Sequence, residues 1–207
     1  NGVLFLDELP EFDRKVLDVL REPLESGSVS ISRAARQAQF PARFQLVAAM
    51  NPSPTGSLND GRSSNEQILR YLNRISGPFL DRIDLQVQVS AITNEQLLSQ
   101  ESTAKGETNQ KIQSRVCTAR HIQIERQGKI NTDLSSQELQ EVCPLNKEQK
   151  SLMNLAIDQF SLSTRGFYRV LKVARSLADL EKASYPELSH YQEALSYRPT
   201  MDRRTGD

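Results

Sequence analysis

An unbroken apolar run, Val3-Leu4-Phe5-Leu6, ends in two adjacent carboxylates, Asp7 and Glu8. Such a run reads as a strand buried on both faces, as in a parallel sheet. Carboxylates at its C-terminal end stand where α/β proteins bind ligands. An Asp there can hold a magnesium that bridges nucleotide phosphates, and a following Glu can orient and deprotonate an attacking water. The same pair also fits a strand followed by two acidic helix-capping residues. A second apolar strand, "LVAAMNP", ends in Asn51. Its amide can hydrogen-bond a γ-phosphate or the attacking water, although an Asn before Pro52 alone fits a turn. Two strands ending in polar side chains at one sheet edge point to a shared site.

Two arginines invite separate readings. Arg82, in "ISGPFLDRIDLQVQV", is flanked by Asp81 and Asp84. It fits a surface ion pair of small worth, or a finger donated to phosphates in a neighbouring subunit. Arg165 begins a basic stripe, Arg165, Arg169, Lys172 and Arg175, at helical spacing. A solvated face explains most such stripes. Arg165 differs because it lies in the first helical turn, where a cation opposes the helix dipole.

These residues need elements to hold them. Val3–Asp7 predicts a strand, and Phe12–Arg21 a helix. Val29 and Ile31 alternate with serines, predicting a half-exposed strand. A basic tip with Arg33 and Arg36 then predicts a hairpin before the buried strand Phe44–Met50. Residues 51–64 read as loop. Asn65–Ile75 predicts a helix capped by Ser64, with Ile68, Leu69 and Leu72 as its apolar face and Gly77-Pro78 as its stop. Leu85, Val87 and Val89 alternate with glutamines and predict a third strand. Beyond residue 92 only helices are expected, over 94–104, 108–127, 135–142, 146–160, 164–184 and 187–196. The expected fold class is therefore α/β followed by all-α, with a domain boundary near residue 92: residues 1–92 and 93–207.

Composition narrows the function classes. Hydrophobic content is 37% and charged content 25%, and 26 basic residues balance 26 acidic ones. Net charge thus gives no argument for nucleic acid or membrane. Two cysteines, Cys117 and Cys143, show no metal-binding spacing and leave a reducing cytoplasm as the expected location. No run of apolar residues is long enough to predict a membrane span. The chain opens mid-pattern, without a leader, and is expected to be a fragment of a longer protein.

Taken in order, "VLFLDE", "AAMNP", "SGPFLDRIDL" and "STRGFYRVLKVARSLADLE" resemble four motifs of the AAA+ ATPases, in the Mg-chelatase-like family and its ComM (YifB) group. The resemblance covers nearly the whole chain. It implies the C-terminal part of a parallel-sheet ATPase core followed by a helical lid. Asp7 and Glu8 then correspond to the Walker B pair, with Asp7 on magnesium and Glu8 catalytic. Asn51 corresponds to sensor 1, Arg82 to the catalytic arginine finger and Arg165 to the nucleotide-binding sensor 2 arginine. Residues 28–44 correspond to the family's hairpin insertion, where Arg33 and Arg36 are candidate DNA contacts in a pore, against a plain solvated tip. The implied cofactors are ATP and Mg2+, and the implied partners are copies of the same chain in a hexameric ring and DNA. The sequence holds no G-x-x-x-x-G-K-[ST] loop, so these residues alone are expected neither to bind ATP tightly nor to hydrolyse it. The loop after "NP" lacks the cysteines many relatives carry there, which gives no support for zinc.

Three readings follow. The first is a ring motor for DNA branch migration in recombination and natural transformation. The second is a metal-insertion motor of the magnesium-chelatase type. The third, a scaffold or binding module without nucleotide, predicts that the Asp7, Glu8 and Asn51 edge is filled by packing rather than open.

Overall fold

The computed structural model describes residues 2–33, 36–56, 62–90 and 106–198. They form two compact units, Asn1–Ile83 and Asp84–Asp207. The expected boundary near residue 92 and the expected helix over 94–104 lie outside the described residues.

The first unit is built on a parallel pair. Strand β1 (Gly2–Leu6) runs beside β4 (Phe44–Ala48), with Leu4 opposite Leu46 and Leu6 opposite Ala48. The ladder continues past both ends: Ala49 N–H donates to the Leu6 carbonyl at 2.9 Å and Leu9 N–H to the Ala49 carbonyl at 3.0 Å. The pair is not buried on both faces, because Val3 is 71% and Phe5 59% exposed. An apolar run favours the strand; its burial needs a layer on each side, and the described residues place none over these two.

Between the strands lie two short helices, α1 (Arg14–Val19) and α2 (Arg21–Ser26), in place of one continuous helix. Pro23 has no N–H to return to the Val19 carbonyl, so the chain breaks and restarts at Leu20. Gly27 ends α2 at φ 69°, and a Cβ there would meet Arg43 Cγ at 2.9 Å. The chain then enters the expected hairpin, β2 (Ser28–Arg33) and β3 (Arg36–Pro41), paired antiparallel. Helix α3 (Asn65–Leu72) starts at Ser64 in a capping box with Gln67, worth about 1 kcal/mol. Gly77-Pro78 opens a further turn of helix, α4 (Gly77–Leu80), capped by Ser76. Proline suits the first turn because its missing N–H is unneeded there. The unit's core is Leu9, Leu17, Ile75 and Phe79, with Leu6, Leu20, Leu24 and Leu46 packed on it. Each such side chain contributes roughly 1.5–3 kcal/mol by leaving water.

The second unit is helical: α5 (Asn109–Gln127), α6 (Ser136–Val142), α7 (Lys147–Phe160), α8 (Thr164–Leu180) and α9 (Leu188–Ser196). Capping boxes open α6 at Ser135 and α7 at Asn146. Helix α8 is central, giving Val170, Leu171 and Ala174 to a core with Leu139, Met153, Tyr191 and Leu195. The third strand expected at Leu85–Val89 does not form. The Gln86 N–H donates to the Tyr197 carbonyl at 3.0 Å, while Leu85, Val87 and Val89 stay 51%, 68% and 86% exposed. Alternation marks a chain that can extend; a strand also needs a ladder partner, and the described residues supply none.

Candidate functional site at the C-terminal edge of the parallel pair

Parallel pairing fixes the first part of the site. Because β1 and β4 run together, Asp7 and Glu8 leave one strand at the same edge at which Asn51 follows the other. All three are exposed, so the edge is open within its unit rather than filled by packing. Glu8 adopts φ 50°, ψ 51°, the left-handed region. For a side-chain-bearing residue this costs roughly 1–2 kcal/mol. The Asp7 carboxylate accepts the Glu8 N–H at 2.9 Å, and the chain turns at once into a short 3-10 turn, Leu9–Glu11. Backbone strain held at a polar position is common where geometry serves function. The donor set fits magnesium carried by nucleotide: one hard carboxylate, a second carboxylate beside it and a neutral amide across the edge.

Sequence reasoning missed Tyr71 of α3. Ile68, Tyr71, Leu72 and Ile75 form the inward face, while Leu69, expected there, is 44% exposed. Tyr71 is 7% exposed yet stands outside the apolar cluster. Burial raises its phenol pKa, helped by the charges of Glu11 and Glu8, while Arg74 and a hydrogen bond from the Asn51 backbone act the other way. Arg74, one turn on, donates to the Pro10 carbonyl at 3.3 Å and to Glu11 Oε1 at 3.1 Å. The missed signal was positional: Tyr71 lies three residues after Ile68 and four before Ile75.

Arg82 is held inside its own unit. Its side chain is 7% exposed and pairs with Glu25 at 2.5 Å. It also donates to the carbonyls of Arg21 at 3.1 Å and Pro78 at 2.6 Å. These contacts tie α4 to α2, so Arg82 is not the weak surface pair that its flanking aspartates allowed for.

Arg165 lies in the first turn of α8, after the Ser163 cap, and is exposed. The rest of the stripe is not a solvated face. Arg169 pairs with Asp84 at 2.5 Å, and Lys172 Nζ donates to the Thr132 carbonyl at 2.6 Å. Arg175 and Asp179 are fully buried and paired at 2.8 Å. Asp179 also accepts from Arg126 and from Asn131 Nδ2, the latter at 2.8 Å. Arg175 further donates to the carbonyls of Ala183 and Ser184. Helical spacing showed which residues share a side of α8, but not that acceptors line it. The thiol of Cys143, in the same core, is pushed up to about 12 by burial, which makes it an inert packing residue.

Arg33 and Arg36 are cross-strand partners at the turn end of the hairpin. Ala34 and Ala35, at its tip, lie outside the described residues.

The two units, a small parallel sheet with helices and then a helical domain, define the C-terminal part of an AAA+ ATPase core with the helical domain that follows it. Two family models match. The magnesium chelatase subunit ChlI model covers residues 1–97 and the ChlI C-terminal model residues 106–198. The chain belongs to this Mg-chelatase-like family. It is 52% identical to competence protein ComM of Haemophilus influenzae over 96% of its length, and 48% identical to the uncharacterized protein YifB of Escherichia coli over 98%. It spans only 39% and 40% of those two proteins. A shorter match, 31% identity over 85 residues, covers 41% of the chain and 10% of DNA replication licensing factor Mcm6 of Drosophila melanogaster. Among the described residues no helix is long and apolar enough to cross a membrane.

Proposed function

We propose that this chain is part of an ATP-driven, cytoplasmic ring motor, a hexamer that moves branched DNA during recombination and natural transformation. The observation that carries the reading is the open edge where a strained Glu8 stands beside Asp7 and across from Asn51. An edge filled by packing, which a nucleotide-free scaffold predicts, would have argued against it. Magnesium-bound ATP, when present, supplies the phosphoryl group and the charge that makes it electrophilic. Asp7 would hold the metal through its carboxylate. Glu8 accepts the proton of the attacking water and fixes its approach. Asn51 hydrogen-bonds the γ-phosphate or that water from the other strand. Arg82 serves the site of the next subunit, and Arg165 is the exposed cation that the family resemblance assigns to nucleotide phosphates. The glycine-rich phosphate loop is expected elsewhere in the full-length protein, since the chain spans only 39% and 40% of two relatives. Arg33 and Arg36 put positive charge on the hairpin, where phosphate backbones bind.

The names of the relatives support a DNA substrate: one is a competence protein and another a replication licensing factor. The family models instead carry the name of a chelatase subunit, which favours a metal-insertion motor. One assay separates them. ATP hydrolysis by the full-length protein is measured alone, with linear DNA and with four-way branched DNA. The DNA-motor reading expects the largest stimulation by branched DNA. Hydrolysis indifferent to both DNAs would favour metal insertion, and no hydrolysis under any condition would remove the motor.

A further inference from the structure

Resting on the reading that Arg82 serves the nucleotide of the next subunit, we infer that Glu25 is a latch on that finger: its carboxylate holds the Arg82 guanidinium inside its own subunit until a neighbour's phosphates outcompete it. The geometry of Arg82 carries this. A finger acting in trans must bring N–H groups to a phosphate outside its own subunit. Here the Arg82 side chain is 7% exposed, and all three of its nitrogens are engaged at home. Nε donates to the Arg21 carbonyl at 3.1 Å, Nη1 to the Pro78 carbonyl at 2.6 Å and Nη2 to Glu25 Oε2 at 2.5 Å. A guanidinium covered in this way has to leave these partners before it can touch another subunit. Of the three acceptors Glu25 alone carries a charge, so it is the one that neutralises the cation and competes most directly with phosphate.

The two sides of the latch differ in what opening asks of them. The Glu25 side chain is 43% exposed, so its carboxylate hydrates on release and no buried anion is stranded. Arg82 gives up an anion and needs another, which the more highly charged phosphates of the neighbour's ATP supply. The backbone beneath the finger is seated without Glu25. Phe79 is fully buried, Ile83 packs on the same apolar cluster, and Ser76 Oγ donates to Asp18 Oδ1 at 2.7 Å. Opening therefore moves a side chain while α4 stays in place, and phosphate shifts the balance between two positions of one arginine.

The test measures ATP turnover at saturating ATP by the full-length protein and its Glu25→Gln variant, which keeps the side chain's shape and removes its charge. A two-state latch scales activity by the fraction of fingers released, so kcat should rise about three- to tenfold. A merely structural ion pair predicts the opposite, unchanged or lower turnover. Glu25→Asp, which withdraws the carboxylate by one methylene, stands in should Glu25→Gln not fold, and should gain at least about twofold by the same argument. The gain must pass through Arg82: in an Arg82→Gln background, Glu25→Gln should change turnover by less than about twofold. Turnover at or below wild type in the Glu25 variant overturns the inference, as does a gain that persists in the Arg82→Gln background. The single variant Arg82→Gln separates the two levels. Wild-type turnover there removes the reading of Arg82 as a finger and this inference with it. Lost turnover there, beside no gain from the Glu25 variant, overturns the latch alone.

Discussion

At the scale of single residues, Glu8 is the position where fold and chemistry conflict most. Its left-handed backbone suits glycine, yet a carboxylate stands there. That conflict predicts opposite effects on stability and activity. Glu8→Gly should be more stable than Glu8→Ala by about 1 kcal/mol, since only glycine escapes the left-handed cost. Chemical denaturation of the two variants measures this, and equal stabilities would mean Glu8 carries no such strain. Glu8→Gln in the full-length protein should keep ATP binding, because Asp7 remains, and lose about two or more orders of magnitude in turnover. Single-turnover hydrolysis beside an ATP-binding isotherm reads both quantities. The placement of the carboxylates and Asn51 at one sheet edge was legible in the sequence because each follows an apolar run. The strain at Glu8 was not, since no residue type in "LDELP" requires a left-handed backbone.

At the scale of elements, buried charge and helix caps decide stability. Asp179 is shared by Arg126, Arg175 and Asn131, with Asp179 and Arg175 fully buried. Removing the carboxylate in Asp179→Ala would leave a buried guanidinium uncompensated, at a cost of about 3–5 kcal/mol. Urea denaturation measures it, and a loss below 1 kcal/mol would show that water takes over the pairing. The start of α6 gives a pH dependence. Lys129 first, then Ser135, hold the Glu138 carboxyl down to about 2. A depressed carboxyl adds stability in full above its unfolded value, roughly 4.3, and loses it as pH falls through about 2. The stability difference between wild type and Glu138→Gln should therefore shrink from about pH 5 to pH 2, as followed by thermal melts across that range. A constant difference would contradict the assignment. Helix starts such as Ser64, Ser135 and Asn146 were readable because a cap is a local event. The split at Leu20 was in principle readable from Pro23. The missing third strand was not readable from Leu85, Val87 and Val89, because a ladder depends on residues far along the chain. Nor was the burial of Arg175 readable, since its acceptors come from Asp179 and the chain at Ala183–Ser184.

At the scale of the whole molecule, the proposed motor has Glu8 act on its own subunit's nucleotide and Arg82 on its neighbour's. In the described unit Arg82 also ties α4 to α2 through Glu25 and two carbonyls, so a useful variant should preserve donors while removing charge. Arg82→Gln does so. The most direct measurement takes two full-length variants, Glu8→Gln and Arg82→Gln, each expected to be nearly inactive. They are mixed under conditions where subunit exchange is verified, and ATP hydrolysis is followed as a function of mixing ratio. Some interfaces in mixed rings pair an intact Glu8 with an intact Arg82, so hydrolysis should rise above both parents and peak at intermediate ratios. Mixed rings as inactive as either parent at every ratio would contradict the account.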